Sequence, residues 1–380
     1  ARDVAAETFV LLKNEGNLLP LKKQGKIALI GPLADTRNNI AGTWSVAQAP
    51  EKYTTIKEAM EKALDGKATL LYAQGSNIWR DRELQKNGEQ GKSIAWGDEV
   101  KMKNEALQIA KEADVIVCAM GETADMSGEC ASRTNLEMPD VQQELLAELA
   151  KTGKPVVLLN FAGRPTVLSW ENEHIPAIMN VWFGGSEVGD ALCDVIFGDK
   201  VPSGKLTTSM PKTTGQEPLY YNHQNTGRPV PDDNQKFAKF ASNCLDVSNG
   251  PLYPFGYGLS YTTFEYGDLK LSSHEVNMDD WKITATINVK NTGSRDADEV
   301  VQLYIRDMVA SISRPVKELK GFQRIHLAAG ESREISFDIT PEMLKFYNAE
   351  LKHVIEPGDF QIMVGGNSKE VKTQNLTVKN

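Results

Sequence analysis

Five short apolar runs in the first half of the chain constrain its fold more than any other feature. They are rich in Val, Ile and Leu and cover residues 27–31, 68–72, 114–120, 155–160 and 177–182. A strand that is apolar at nearly every position is buried on both faces, as strands of parallel sheets are. Segments with helical spacing separate the runs, at residues 55–64, 104–112, 141–150 and 187–197. The alternation predicts an α/β/α sandwich with a mostly parallel sheet.

The pattern changes to all-β in the last third of the chain. Apolar and polar residues alternate with a period of two at 281–290, and similar short runs follow at 299–306, 333–339 and 360–364. Several short alternating strands over about 110 residues are typical of a β-sandwich of the immunoglobulin or fibronectin type III kind. The predicted fold class is therefore α/β plus all-β.

The chain length of 380 residues favours two domains. We predict an α/β sandwich domain at residues 1–211 and a fibronectin type III-like domain at residues 265–380. Between them, residues 212–264 are rich in polar, Gly, Pro and Tyr residues. Such a long connection without periodicity is either a linker or a loop that wraps a neighbour.

Composition excludes several classes of function. Apolar content of 41% and charged content of 24% are those of a soluble globular protein. The net charge of −9, without a Lys/Arg cluster, argues against a nucleic-acid partner. No apolar run approaches the roughly 20 residues that a membrane-spanning helix needs. The four cysteines and five histidines lack metal-ligand spacing, and no dinucleotide fingerprint is present, so neither metal nor cofactor is expected.

An acidic loop, residues 121–139, follows the third predicted strand. It carries Glu122, Asp125 and Glu129, with Arg133 shortly after them. Open α/β sheets bind ligands at the carboxyl ends of their strands, and a carboxylate close to another, or shielded from water, can serve as a general acid. The alternative is a solvated surface loop. Trp44 has two interpretations as well, a sugar-stacking side chain or a core residue.

Several segments together carry a family resemblance along essentially the whole chain. They occur in the order ARDVAAETFVLLKNEGNLLPL, GKIALIGPLAD, GKPVVLLNFAGRP, VWFGGSEVGDALCDVIFGDKVPSGKLTTSMP, PLYYNHQNTGRP, GPLYPFGYGLSYTTFEY, ADEVVQLYIRD and RPVKELKGFQRIHLAAGE. In this order they resemble the carboxyl-terminal portion of family 3 glycoside hydrolases, the β-glucosidase and β-xylosidase group.

The resemblance implies a division of the active site. In this family a (β/α)₈ barrel supplies an Asp nucleophile, and the following α/β domain supplies the acid/base Glu on a loop. Gly121 and Glu122, then Glu129, then Arg133 match that loop, so the resemblance implies that Glu129 is the acid/base. It implies a supporting role for Glu122 and a positioning role for Arg133. The expected substrate-binding residues are Glu122, Arg133, Asp125 and Trp44.

The resemblance therefore implies part of a retaining, exo-acting β-glucosidase that hydrolyses terminal β-D-glucosyl residues of oligosaccharides or glucosides. The alternatives are a β-xylosidase or another exo-β-glycosidase of the same family. A non-catalytic carbohydrate-binding or structural module would describe the isolated fragment. The start of the sequence suggests a cut from a larger protein. Because the barrel with the nucleophile is missing, we expect the fragment alone to be inactive, and we expect it to pack against this barrel in the larger protein. A second copy of the chain is a candidate partner, and a periplasmic or secreted location is expected.

Overall fold

The computed structural model describes residues 1–88, 93–230 and 239–380. The chain divides into two compact units. The first contains Ala1–Gly204, Pro211–Gly215 and Gly258–Tyr261, and the second contains Lys205–Met210, Gln216–Tyr257 and Thr262–Asn380. Residues 212–264, the predicted connection, are thus shared between the two units. The domain boundaries at residues 211 and 264 stay predictions.

A six-stranded sheet forms the centre of the first unit. Its strands are β1 (Val10–Asn14), β2 (Lys26–Ile30), β3 (Thr69–Ala73), β4 (Val115–Gly121), β5 (Val156–Phe161) and β6 (Ala177–Trp182). The spatial order is β1-β6-β5-β4-β2-β3. All neighbouring pairs are parallel except β1 and β6, which are antiparallel. The predicted α/β fold with a mostly parallel sheet is confirmed.

The described residues of the first unit form seven α-helices. They are α1 (Arg2–Thr8), α2 (Ile56–Leu64), α3 (Arg82–Asn87), α4 (Glu99–Glu112), α5 (Asp140–Ala150), α6 (Ser169–His174) and α7 (Val188–Ile196). Local sequence fixes some of their ends. Helix α2 begins with a capping box, in which Thr55 and Glu58 each bond the other's backbone amide. At the start of α4, the Asp98 carboxylate accepts from the Lys101 amide.

The central strands are buried on both faces. Val117 and Ala119 of β4 lie in a core cluster with Met60 of α2 and Leu192 of α7. The alternate residues of β4, which point to the other face, are 0% exposed as well. Continuous burial explains why these strands read as uninterrupted apolar runs.

In the second unit, the part of the chain that the structure describes forms eleven strands and one short helix. They are β7 (Phe264–Tyr266), β8 (Lys270–Leu271), β9 (Glu275–Asn277), β10 (Ile283–Asn291), β11 (Ala297–Asp307), β12 (Glu318–Leu327), β13 (Ser332–Ile339), α8 (Pro341–Leu344), β14 (Phe346–Tyr347), β15 (His353–Val354), β16 (Gly358–Gly365) and β17 (Val371–Lys379). One sheet has the order β13-β10-β7, with β8 also pairing with β10. The other has the order β12-β11-β16-β17-β9, and β14 pairs with β15.

The two larger sheets share one apolar core. Ile287 and Val289 of β10 belong to the same buried cluster as Val301 and Leu303 of β11. Along β10, buried and more exposed residues alternate, as expected when one face of an antiparallel sheet packs on a core. The predicted fibronectin type III-like β-sandwich is confirmed.

Among the described residues, no helix has both the length and the apolar character that a membrane span requires.

Candidate active site

The acidic loop leaves β4 at a fixed point. Gly121 has φ +129, and a Cβ there would collide with the carbonyl oxygen of Phe161, so only glycine fits. The fully buried side chain of Gln142, on α5, accepts from the Gly121 amide at 2.8 Å and donates to its carbonyl at 3.0 Å. The end of β4 is therefore tied to the start of α5 across the loop.

Glu122, the next residue, is the centre of a buried ion cluster. Its side chain is 1% exposed, and each carboxylate oxygen accepts from a different arginine. Arg133 Nη1 lies 2.7 Å from Oε1, and Arg164 Nε lies 3.3 Å from Oε2. Charge-assisted hydrogen bonds of this kind are about twice as strong as neutral ones. Because both oxygens are engaged, the geometry favours the supporting role over direct contact with a substrate.

Two side chains from other parts of the unit hold the middle of the loop. Arg164, which follows β5, donates through Nη2 to the carbonyl oxygens of Met126 and Ala131, the latter at 2.7 Å. The Thr43 hydroxyl donates towards the carbonyl oxygens of Ala124 and Ser127, the latter at 2.7 Å. The backbone on either side of residue 129 is therefore bonded to fixed elements.

Glu129 lies at the exposed tip of this loop. Its neighbours Gly128, with φ +102, and Cys130, with φ +59, both have left-handed backbone conformations. A Cβ at Gly128 would lie 2.6 Å from Cγ2 of Thr43. No residue in the described ranges forms a hydrogen bond or ion pair with the Glu129 carboxylate. Non-glycine residues in left-handed conformations, such as Cys130, are concentrated at functional sites. The Glu129 carboxylate beside it is available to an external partner.

A cavity of about 420 Å³ lies beside the loop. It is lined by Ile78, Trp79, Leu84, Gln85, Gly88, Thr123, Asp125, Met126, Ala131, Ser132 and Arg133. The Arg133 guanidinium carbon lies 5.3 Å from the centroid of the Trp79 ring, a cation–π distance. Two buried glutamines hold the backbone of Ile78, the residue before Trp79. The Ile78 amide donates to Gln85 Oε1 at 2.9 Å, and the Ile78 carbonyl accepts from Gln142 at 3.2 Å.

The structure brings most of the predicted site residues together. Glu122, Asp125 and Arg133 meet at or beneath this cavity, and Glu129 lies at the tip of the same loop. Trp44 is 73% exposed on a separate loop, which excludes the core interpretation of this residue. Its neighbour Thr43 connects that loop to the acidic one.

Sequence reasoning did not find Arg164 or Trp79. Arg164 stands in the FAGRP segment, 42 positions from its partner Glu122, and Trp79 stands in NIWRD. No local pattern joins either residue to the acidic loop. The signal that the sequence offers for Arg164 is a basic residue three positions after a buried strand.

Chemically, the arrangement presents the Glu129 carboxylate, which has no partner among the described residues, on a loop that two guanidinium groups support. Such a group can give or take a proton at a bound molecule. Within the described part of the chain, no group of three His, Cys, Asp or Glu side chains is arranged to hold a metal ion.

Two family models match the chain. The glycosyl hydrolase family 3 C-terminal domain matches residues 9–261, and the fibronectin type III-like domain matches residues 299–368. The first match covers the sheet and the acidic loop, and the second covers much of the β-sandwich.

Curated relatives and solved structures agree with these matches. The chain is 46% identical to a periplasmic β-glucosidase of Salmonella typhimurium, over 98% of this chain and 49% of the relative. It is 37% identical to a β-xylosidase of Formosa agariphila, over 100% of this chain and 50% of the relative. A crystal structure of a Listeria innocua β-glucosidase in complex with isofagomine superposes with a TM-score of 0.88 at 35% identity, covering 100% of this chain and 49% of that one.

The chain thus spans about half the length of the curated relatives it matches. We conclude from these similarities, together with the α/β unit that carries the acidic loop and the fibronectin-like unit, that the chain belongs to glycosyl hydrolase family 3.

Proposed function

We propose that this chain supplies the acid/base half of a retaining, exo-acting β-glucosidase site. Glu129 gives its proton to the leaving glycosidic oxygen while an Asp nucleophile forms a covalent bond to the sugar. Glu129 then takes a proton from the water that hydrolyses this glycosyl-enzyme. The nucleophile belongs to a barrel domain outside these 380 residues, with which this chain packs.

The observation that carries the proposal is the state of the Glu129 carboxylate. It is exposed and unpaired among the described residues, while hydrogen bonds hold the backbone on both sides of it. An acid/base must bind its proton and release it within one catalytic cycle, so its oxygens have to be free of strong partners in the protein. Glu122, which both arginines engage, lacks that freedom.

The other predicted residues take supporting roles in this proposal. Trp44 offers an exposed indole face on which the leaving sugar or aryl group can stack. Asp125 faces the cavity and can accept hydrogen bonds from sugar hydroxyls. Arg133 and Glu122 fix the far end of the loop.

The experiment compares leaving groups in the complete enzyme, barrel included. Dinitrophenolate leaves without protonation, whereas phenolate needs the acid, so Glu129→Ala should lower kcat/KM for phenyl β-glucoside about 10²–10⁴-fold more than for dinitrophenyl β-glucoside. Azide, which needs no general base, should restore turnover of the dinitrophenyl substrate and yield glucosyl azide. Glu137→Ala removes another exposed carboxylate of the same loop and is the matched control. Equal losses on both substrates would remove Glu129 from this role.

The 380-residue chain is one arm of the same assay. We propose that it shows no turnover alone, because it would lack the nucleophile. Rates close to those of the complete enzyme would contradict this division of the site. Binding of glucose or cellobiose without turnover would fit the description of the isolated chain as a carbohydrate-binding module.

A second candidate function is a β-xylosidase. The observation in its favour is the 37% identity to the Formosa agariphila relative of that name. The two sugars differ by one hydroxymethyl group, so the ratio of kcat/KM for aryl β-glucoside and aryl β-xyloside decides between them. A ratio above one favours the glucosidase.

A periplasmic or secreted location completes the proposal. It is supported by the name of the Salmonella typhimurium relative, a periplasmic β-glucosidase. A second copy of the chain remains a proposed partner.

A further inference from the structure

Arg164 makes contacts that the proposed function does not yet explain. Its guanidinium group reaches three acceptors: Oε2 of Glu122 and the carbonyl oxygens of Met126 and Ala131. The two carbonyls belong to residues three positions before and two positions after Glu129. One side chain therefore closes the loop tip that carries the proposed acid/base.

Arg133 differs from Arg164 in what it holds. It shares the Glu122 carboxylate, but its other hydrogen bond goes to the carbonyl of Glu137, beyond the tip. The Thr43 hydroxyl reaches only the amino-terminal side of the tip, at Ala124 and Ser127. Of these three side chains, Arg164 is the one whose hydrogen bonds reach both sides of residue 129.

The chemistry of the side chain matters for this bridge. A guanidinium is planar and has five N–H donors in a fixed fork, so it can bond a carboxylate and two carbonyls at defined angles. A lysine ammonium keeps the charge next to Glu122 but donates from a single point, and it cannot span the same three acceptors. Closing both sides of a short loop restricts the positions open to its tip, and proton transfer depends steeply on such positioning.

We infer that Arg164 is a positioning residue for the proton transfer, acting through the loop that carries Glu129. The inference rests on the proposed function of Glu129. It assigns Arg164 no contact with the sugar. Its loss should therefore impair the acid-dependent step and leave binding of the glycone and attack by the nucleophile nearly unchanged.

The test uses Arg164→Lys in the complete enzyme, with phenyl and dinitrophenyl β-glucoside. We expect kcat/KM for the phenyl substrate to fall at least about 10-fold more than for the dinitrophenyl substrate, within the range of general acid catalysis. Arg2→Lys is the matched control. Arg2 also bonds a carboxylate through two nitrogens, Asp194 at 2.5 and 2.6 Å, but it lies on α1, and its partners among the described residues, Asp190 and Asp194, belong to α7. A single cooperative melting transition of Arg164→Lys above the assay temperature shows that the variant is folded during the assay.

Comparison with Glu129→Ala separates this inference from the proposed function. If Glu129→Ala affects both substrates equally, the proposed function fails and the inference fails with it. Suppose that Glu129→Ala lowers kcat/KM more for the phenyl than for the dinitrophenyl substrate. If Arg164→Lys then lowers kcat/KM for both substrates equally, or for neither of them, only the inference is overturned. In the double variant, Arg164→Lys should add no further discrimination, because its effect passes through Glu129. Additive effects would overturn the inference as well.

Discussion

The buried carboxylate of Glu122 allows a sharp prediction about stability. Glu122→Gln keeps the shape of the side chain but removes its charge. One arginine keeps an acceptor, while the other faces an amide NH₂ group. Because Arg133 and Arg164 are only 10% and 19% exposed, water replaces the lost partner incompletely. Removing one partner of a buried ion pair costs about 3–5 kcal/mol. The partial exposure of the arginines places the expected loss near the lower end, at about 3 kcal/mol.

Thermal unfolding of the 380-residue chain measures this loss. For a unit of about 200 residues, 1 kcal/mol lowers the melting temperature by about 2–4 °C, so the transition of the first unit should fall by about 6–12 °C. Glu144→Gln is the control, because Glu144 is 58% exposed and its ion pair with Arg80 at 2.8 Å is a surface pair. Such pairs contribute about 0–1 kcal/mol. If the two variants unfold at the same temperature, the assignment of Glu122 as the support of the loop is wrong.

Two further predictions concern titratable groups. Burial raises the pKa of Glu171, which is 2% exposed and lies near Glu137, from 4.5 to about 7. The folded chain thus holds a proton that the unfolded chain releases, so the stability of the fold should fall as the pH rises from about 4.5 to about 7. The melting temperature of Glu171→Gln should lack this decline. A decline as large as that of the unchanged chain would contradict the assignment. Cys130 is exposed, whereas burial raises the thiol pKa values of Cys118 and Cys193, the latter to about 12. A thiol reagent should therefore label Cys130 rapidly and the two buried cysteines only on unfolding, and Cys130→Ser should remove that rapid phase.

The sheet of the first unit was largely predictable because its central strands are buried on both faces. Strands β2 to β6 all correspond to continuous apolar runs. Strand β1 was not predicted, because its residues continue the amphipathic pattern of the preceding helix. Its pairing with β6, which is antiparallel, depends on contacts with residues about 165 positions away. Local periodicity carries no information about such a pairing.

The β-sandwich shows the same limit. Strands β10 and β13 alternate between buried and more exposed residues, and β11 and β16 contain short apolar runs that are buried, so all four were predicted. Strand β12 was not predicted as a strand, since most of its residues are partly or fully exposed and its sequence contains a glycine. Its place is determined by the ladder with β11.

The site residues that are close in sequence were predicted, but those that come from distant parts of the chain were not. The carboxylates and Arg133 lie within a dozen positions of one another, so sequence order alone placed them on one loop. Arg164 comes from the loop after the neighbouring strand, and its three acceptors are known only from the fold. The direction of the Glu122 side chain, into the protein and away from solvent, also follows from that packing.

The bond between Thr43 and the carbonyl of Ser127 has a consequence for protein engineering. Under the role proposed for Trp44, exchanging its loop for that of a relative should alter which aglycones are accepted. Such a graft can also replace Thr43, whose hydroxyl bonds the loop of Glu129. The Thr43 methyl group packs so closely on Gly128 that a larger side chain at position 43 has little room. On the proposed roles of Trp44 and Glu129, a chimera that keeps threonine at position 43 should change aglycone preference alone, whereas one that loses it should change preference and turnover together.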